Sequence, residues 1–211
     1  MTEQPMVKQE RAARTRDTLI RSAAEVFDRE GFPVASLTAI SSLAGVSNGA
    51  LHFHFASKAA LADAVEGAAL TRLLAVTGAE PAPGASRVQL LVDVTHGLAG
   101  ALREDVVLRA GFELSGEVSR SPRVDLRGRW RQWVEETLER ADAGGELRSE
   151  VAAGDAGGAV VAATVGLEVL GARDAEWLSA ATVTRFWRLL LPTLVTPALL
   201  ADLEAGGART R

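Results

Sequence analysis

The sequence predicts an all-α protein. Apolar residues recur at three- and four-residue intervals through almost every segment, and β-branched alternation over strand length is scarce. Breakers at Gly31, Gly45 and Glu80–Ser86 separate the periodic stretches. At 211 residues the chain can hold a small N-terminal domain fused to a larger one, and we expect the division to fall between 1–60 and 61–211.

The elements follow in order. Leu19, Ala23, Val26 and Phe27 form one stripe over Thr18–Glu30, so a first helix is expected from near Lys8 up to Gly31, which stops it as a C′ glycine. Ser36 caps a short second helix reaching Ala44, with Leu37, Ile40, Leu43 and Ala44 as its apolar face. Gly45 breaks it, Ser47 caps a third over Asn48–Phe55, and Ser57 caps a fourth over Lys58–Leu74. Glu80-Pro-Ala-Pro-Gly-Ala-Ser86 reads as a loop. Further helices are expected at about Arg87–Arg103, Asp105–Glu117, Arg123–Ala143, Asp155–Leu170 and Ala175–Leu191. Pro192 and Pro197 are expected to end the last of these, with a short helical tail to Glu204.

Composition narrows the function classes. With 47% hydrophobic and 24% charged residues the chain is ordinary globular material, which argues against long disorder. It has no cysteine, so disulfides, thiolate metal sites and cysteine nucleophiles are excluded. The polar N-terminus lacks the form of a signal peptide. The longest apolar runs, Ala159–Val165 and Leu189–Leu191, fall far short of the roughly 18 residues a bilayer needs, so a cytoplasmic location and no membrane partner are expected. A net charge of −4 argues against a general nucleic-acid coat, so any DNA affinity must come from a local patch.

Met1–Arg21 carries a local basic excess of two, and Leu37 to Lys58 is the informative stretch. Two short helices joined by a tight turn at Gly45–Ser47, with Ile40, Ala44, Val46 and Leu51 spaced as a small core, have the geometry of a helix-turn-helix. The second helix is then free to enter a major groove of double-stranded DNA. On it Asn48, Gly49 and His52 lie on or near one face, with Ala50 and Phe53 beside them. An Asn amide suits adenine, while Ser36, Thr38, Ser47 and the charge of Lys58 suit phosphate oxygens. Arg14 and Arg16 on the preceding arm offer further backbone contacts.

Catalysis and metal binding find no support. His52 and His54 are two apart on a helix and diverge, and with His96 they make no ligand set. No Gly-x-Ser-x-Gly, phosphate-binding Gly-rich loop or His-Glu-x-x-His is present, so neither an enzyme nor a cofactor is expected.

Gly45-Val-Ser-Asn-Gly-Ala-Leu-His-Phe-His-Phe-Ala-Ser-Lys-Ala-Ala-Leu61 resembles the signature of the TetR family, over roughly Arg14–Val65. Gly49-Ala-Leu-x-Phe-His-Phe-x-Ser-Lys58 further resembles the branch of γ-butyrolactone autoregulator receptors, as do the spacing of Trp130, Leu138, Ala141 and Gly145-Glu146-Leu147 and the segment Trp187–Pro192. The resemblance implies a ligand-responsive repressor that is a homodimer on a pseudo-palindromic operator, released by a small signalling molecule of γ-butyrolactone type. A relative answering to an antibiotic or a pathway intermediate, or a dimer that has lost its operator, are the other readings. Trp130 becomes a candidate ligand contact, joined by Phe112, Trp133 and Thr164, while Trp177 and Trp187 read as core or dimer interface. The sequence departs from the pattern at Asn48, usually basic, at His52, usually tyrosine, and at Thr164-Val-Gly-Leu-Glu168, where the branch often carries Thr-Gly-x-Gln. The arginine-rich run Arg120–Arg131 reads as a solvated helix face.

Overall fold

The protein is helical throughout, in a computed structural model that describes residues 3–78 and 84–208. The helices are α1 (Glu3–Glu30), α2 (Leu37–Leu43), α3 (Asn48–His54), α4 (Lys58–Thr77), α5 (Arg87–Glu104), α6 (Val106–Ser115), α7 (Leu126–Ala143), α8 (Ala153–Gly171), α9 (Ala180–Leu194) and α10 (Pro197–Leu200). A 3₁₀ turn at Ala175–Leu178 precedes α9. The extended pairing among the described residues is a single antiparallel bridge, Leu147 with Val195. Most of the expected loop at Glu80–Ser86 lies outside the described residues.

Two compact units form. The first takes the residues up to Arg72 together with Asp105–Leu126, and the second takes Leu73–Glu104 with the residues from Arg127 onward. Helix α4 therefore belongs to both by chain continuity.

In the first unit α1 lies along α6 and against α2. Leu19, Ala23 and Phe27 of α1 meet Ile40, Leu51, Leu61, Val65, Ala110 and Leu114 in one buried cluster. A Cβ on Gly111 of α6 would stand 2.2 Å from the Ala69 side chain, so glycine is what lets α4 and α6 approach this closely. Charged clamps frame that core. Arg109 forks onto Asp28 at 2.6 and 2.9 Å, its guanidinium held above its ordinary pKa chiefly by that bond. Arg72 Nε donates to Asp105 at 2.5 Å, and the other carboxylate oxygen of Asp105 caps α6 through the Val107 and Leu108 N–H groups.

In the second unit α5 packs against α8, α9 and the 3₁₀ turn. Leu91, Trp130, Val134, Leu138, Val160, Val183 and Trp187 are fully or almost fully buried there. Gly145, at φ 71°, turns the chain after α7 in a conformation that only glycine adopts without strain. The turn delivers Glu146 to the start of α5, where it accepts from Ser86 Oγ at 2.6 Å and from the N–H groups of Arg87 and Val88 at 2.8 and 3.0 Å.

Several boundaries differ from the sequence reading. Helix α1 begins five residues before Lys8. The expected helix at Ala175–Leu191 is split, because Ser179 leaves the helical region (φ −69°, ψ 147°) and its hydroxyl caps α9 at the Thr182 N–H. Pro192 does not end that helix: it sits exposed two residues before the C-terminus at Leu194, where few backbone bonds remain to lose. Helix α7 starts at Leu126 rather than Arg123, whose N–H goes instead to Glu66 Oε2 at 2.8 Å.

The run Arg120–Arg131 is a solvated face only in part: Arg123, Arg129 and Arg131 are exposed, while Arg120 and Arg127 turn inward. The Arg120 side chain is 7% exposed and pairs with Glu66, which is fully buried, and with Asp63 at 2.5 Å. Arg127 forks onto Glu168 at 2.9 and 3.1 Å. Helix α8 also departs from expectation, since its 19 residues reach a mean hydropathy of 1.3 and by length and composition alone match a membrane span. Its polar residues have folded-protein partners, however: Glu168 takes Arg127, and Thr164 takes the Trp130 indole.

Candidate functional site

The helix-turn-helix is built by local capping. Ser36 Oγ accepts the Ala39 N–H at 3.1 Å to start α2, and Ser47 Oγ accepts the Ala50 N–H at 3.1 Å to start α3. Between them Gly45 takes φ 68°, and the Val46 N–H returns to the Ser41 carbonyl at 3.0 Å. Ile40 and Leu51 are fully buried beneath the turn, with Leu37, Ala44 and Val46 packed around them. A side-chain tie adds to this core, for the mostly buried Ser41 places its hydroxyl 2.6 Å from Asn48 Oδ1.

Helical periodicity around Leu51 then decides what α3 presents. Asn48, Gly49 and His52 are exposed, Ala50 is half-buried, and the Phe53 ring is 82% exposed. Ser36, Thr38 and Ser47 are exposed beside them, as are Arg14 and Arg16 on α1. Arg16 lies over the Phe55 ring, 5.2 Å from its centroid. A Cβ on Gly49 would meet only Ser47 Oγ, at 3.9 Å, so the chain's own packing does not require glycine there. His54 is half-buried, its ring edge-on to Phe53 at 5.2 Å, and it lines a groove with Arg16, Phe55 and Asp63.

Asn48 and Lys58 depart from the roles their residue types suggest. The Asn48 carbonyl oxygen accepts from Ser41, so the amide NH₂, with both of its protons, is the stronger group left to offer outward. Lys58 turns its ammonium inward onto the carbonyls of Phe32, Pro33 and Ala35 at 2.8, 3.1 and 2.9 Å.

The expected ligand contacts fall into two places. Trp130, Trp133 and Thr164 come together in the second unit: the indole rings stack at 5.3 Å, and Trp130 Nε1 donates to Thr164 Oγ1 at 2.8 Å. Thr164 passes its own proton to the Val160 carbonyl at 2.8 Å. Trp130 is 1% exposed, so this core is closed. Phe112 is equally buried but sits on α6, in the first unit. Trp187 is core, and its buried indole N–H has no acceptor among the described residues.

Residues 19–65 match the family described as bacterial regulatory proteins, tetR family. Across 208 residues the chain is 31% identical to the A-factor receptor protein of Streptomyces griseus, covering 96% of this chain and 71% of that one. The chain belongs to the TetR family. Among solved structures of the family, a gamma-butyrolactone receptor described as an ArpA-like protein superposes with a TM-score of 0.79 at 28% identity, over 91% of this chain and 94% of its own. CprB from Streptomyces coelicolor, in complex with its biological operator sequence, gives a TM-score of 0.77 at 28% identity over the same shares. The chain is thus a TetR-family regulator whose fold is that of the γ-butyrolactone receptors, with its helix-turn-helix inside the matched segment.

Sequence reasoning missed the bonds of Glu146 to the start of α5, Arg120 with Glu66, and the inward turn of Lys58. Each acts on partners at least 23 residues away, where no local pattern announces them.

Proposed function

We propose that this regulator is a homodimeric, cytoplasmic repressor that holds a pseudo-palindromic operator and releases it when a small signalling molecule of γ-butyrolactone type binds. The observation that carries this reading is the bare face of α3, where Asn48, Gly49, His52 and Phe53 stand exposed around a glycine the fold itself does not need. A major groove is what such a surface fits. Asn48 and Phe53 face base edges, the amide as donor and the ring against thymine methyl groups. Ser36, Thr38, Ser47, His52, Arg14 and Arg16 serve the phosphates, and Ala50 lets the helix lie close. The division of labour is DNA binding by 1–60 and ligand binding with dimerisation by 61–211.

The second copy docks on α8 and α9, which leave Gly158, Ala162, Val169 and Leu189 exposed on an otherwise apolar pair of helices. Two recognition helices then meet half-sites about one helical turn apart. The effector class comes from the kinship with the A-factor and γ-butyrolactone receptors. Its site is the core around Trp130, Trp133 and Thr164; the effector must open this core, and it does so only by binding the released state better, by about 1–3 kcal/mol of coupling.

The test is a gel shift of the purified protein on its own upstream DNA, with and without a γ-butyrolactone. A shift abolished by the lactone is expected. A shift that survives keeps the repressor and moves the effector to an antibiotic or pathway intermediate, while failure to bind any DNA selected from a random pool overturns the repressor reading. Trp130→Phe, which removes the indole donor to Thr164 together with part of the ring stacked on Trp133, is expected to keep DNA binding and weaken release.

A further inference from the structure

The Lys58 ammonium has three donors and three carbonyl acceptors around it, Phe32, Pro33 and Ala35, all within 3.1 Å. It also sits 4.7 Å from the centre of the Phe32 ring, whose surroundings include the Arg120 guanidinium at 5.5 Å. These carbonyls belong to the turn between α1 and α2. That turn starts at Gly31 (φ 76°), is closed by the Ala35 N–H on the Gly31 carbonyl at 3.1 Å, and ends at Ser36, the cap of α2. The turn thus sets where α2 begins, and through the Ser41–Asn48 tie and the Ile40–Leu51 core it sets where α3 points.

We infer that Lys58 is a positioning residue for operator binding: it fixes the angle of the helix-turn-helix by gripping the Phe32–Ala35 turn from the first residue of α4, and it makes no phosphate contact. This rests on the DNA-binding reading above. The chemistry separates the two roles. Phosphate accepts arginine as readily as lysine, whereas three carbonyls converging on one point suit a compact ammonium and exclude a planar fork.

The experiment compares wild type, Lys58→Arg and Lys58→Met on one duplex recovered from a random pool by the wild-type protein. Affinity is read across a salt series, and exchange of the Ala35 amide is followed without DNA. Positioning predicts that Lys58→Arg, with its charge kept, binds about tenfold more weakly at an unchanged salt slope, as the loss of a set of charge-assisted bonds implies. It also predicts that the Ala35 amide loses protection in the free protein. A Lys58→Arg protein that binds like wild type with Ala35 still protected overturns the inference, and a Lys58→Met protein whose salt slope falls by about one per subunit assigns the phosphate contact instead. Should Lys58→Met fail to fold by circular dichroism, the arginine variant decides alone. If wild type recovers no duplex, the DNA-binding reading fails, while Ala35 exchange still reports whether Lys58 grips the turn.

Discussion

In the first unit long-range order is carried by cations: Lys58 on three carbonyls, Arg72 on Asp105, Arg109 on Asp28, and Arg120 on Asp63 and Glu66. In the second unit apolar bulk dominates, with Trp130, Leu138, Val160 and Trp187 at its centre, and the polar ties include one cation fork, Arg127 on Glu168, beside Trp130 to Thr164 and Glu146 onto α5. Size explains the difference. Helices α2 and α3 have seven residues each and bury little more than Ile40 and Leu51, so apolar packing, which lacks direction, leaves their angle loosely defined. Hydrogen bonds from a charged group are directional, and those of Lys58 onto the turn before α2 define it, while the arginine clamps tie α1, α4 and α6 around it. The second unit has side chains enough for a core and still leaves apolar surface on α8 and α9.

The comparison breaks most visibly at Arg120. Replacing it with methionine leaves the fully buried Glu66 with the Arg123 N–H but no counter-charge, and is expected to cost about 3–5 kcal/mol, lowering the melting temperature by about 10 °C. The double variant Arg120→Met with Glu66→Leu should recover most of that loss, because an apolar pair replaces the ionic one. A single variant that melts like wild type in circular dichroism would remove the claim that charges hold the first unit.

In the second unit the matching test is Glu146→Ala. It leaves the Arg87 and Val88 N–H groups and the Ser86 hydroxyl without their acceptor, an expected cost of about 1–2 kcal/mol. Urea denaturation measures it, and faster exchange at Val88 places the loss at the start of α5. Gly145→Ala should cost about 1 kcal/mol on the same assay, from the φ of 71° alone, since a Cβ there meets nothing within 4 Å.

What was legible in the sequence was local. Ser36, Ser47 and Ser57 read as caps and are caps, each accepting an N–H three residues on. The exposed face of α3 follows from counting outward from Leu51. The breaker rule failed at Pro192, which the last turn of α9 accommodates, and missed Ser179, whose cap splits a continuous apolar pattern. Charge misled most. Arg120 read as part of a wet face, as Arg123, Arg129 and Arg131 are, because no periodicity marks a partner 54 or 57 residues back, and Lys58 read as a phosphate contact because carbonyls leave no trace in a sequence. The Gly145-Glu146-Leu147 motif was recognised beside the tryptophan, yet its work is to turn the chain, cap α5 and seat Leu147 against Val195.

The smallest effect sharpens the comparison from the other side. Arg21 and Glu25 form an i,i+4 pair on α1 at 3.3 Å, in the same unit and of the same chemistry as the clamps, but their side chains are 75% and 39% exposed. Water already screens both charges, and holding two long side chains in register costs entropy, so Arg21→Ala should change stability by no more than about 0.5 kcal/mol. Melting curves at low and high salt check this. A loss comparable to that of Arg120→Met would mean that net charge, and not the burial of particular pairs, stabilises the first unit. A negligible loss leaves burial as the variable that separates Arg21 from Arg120.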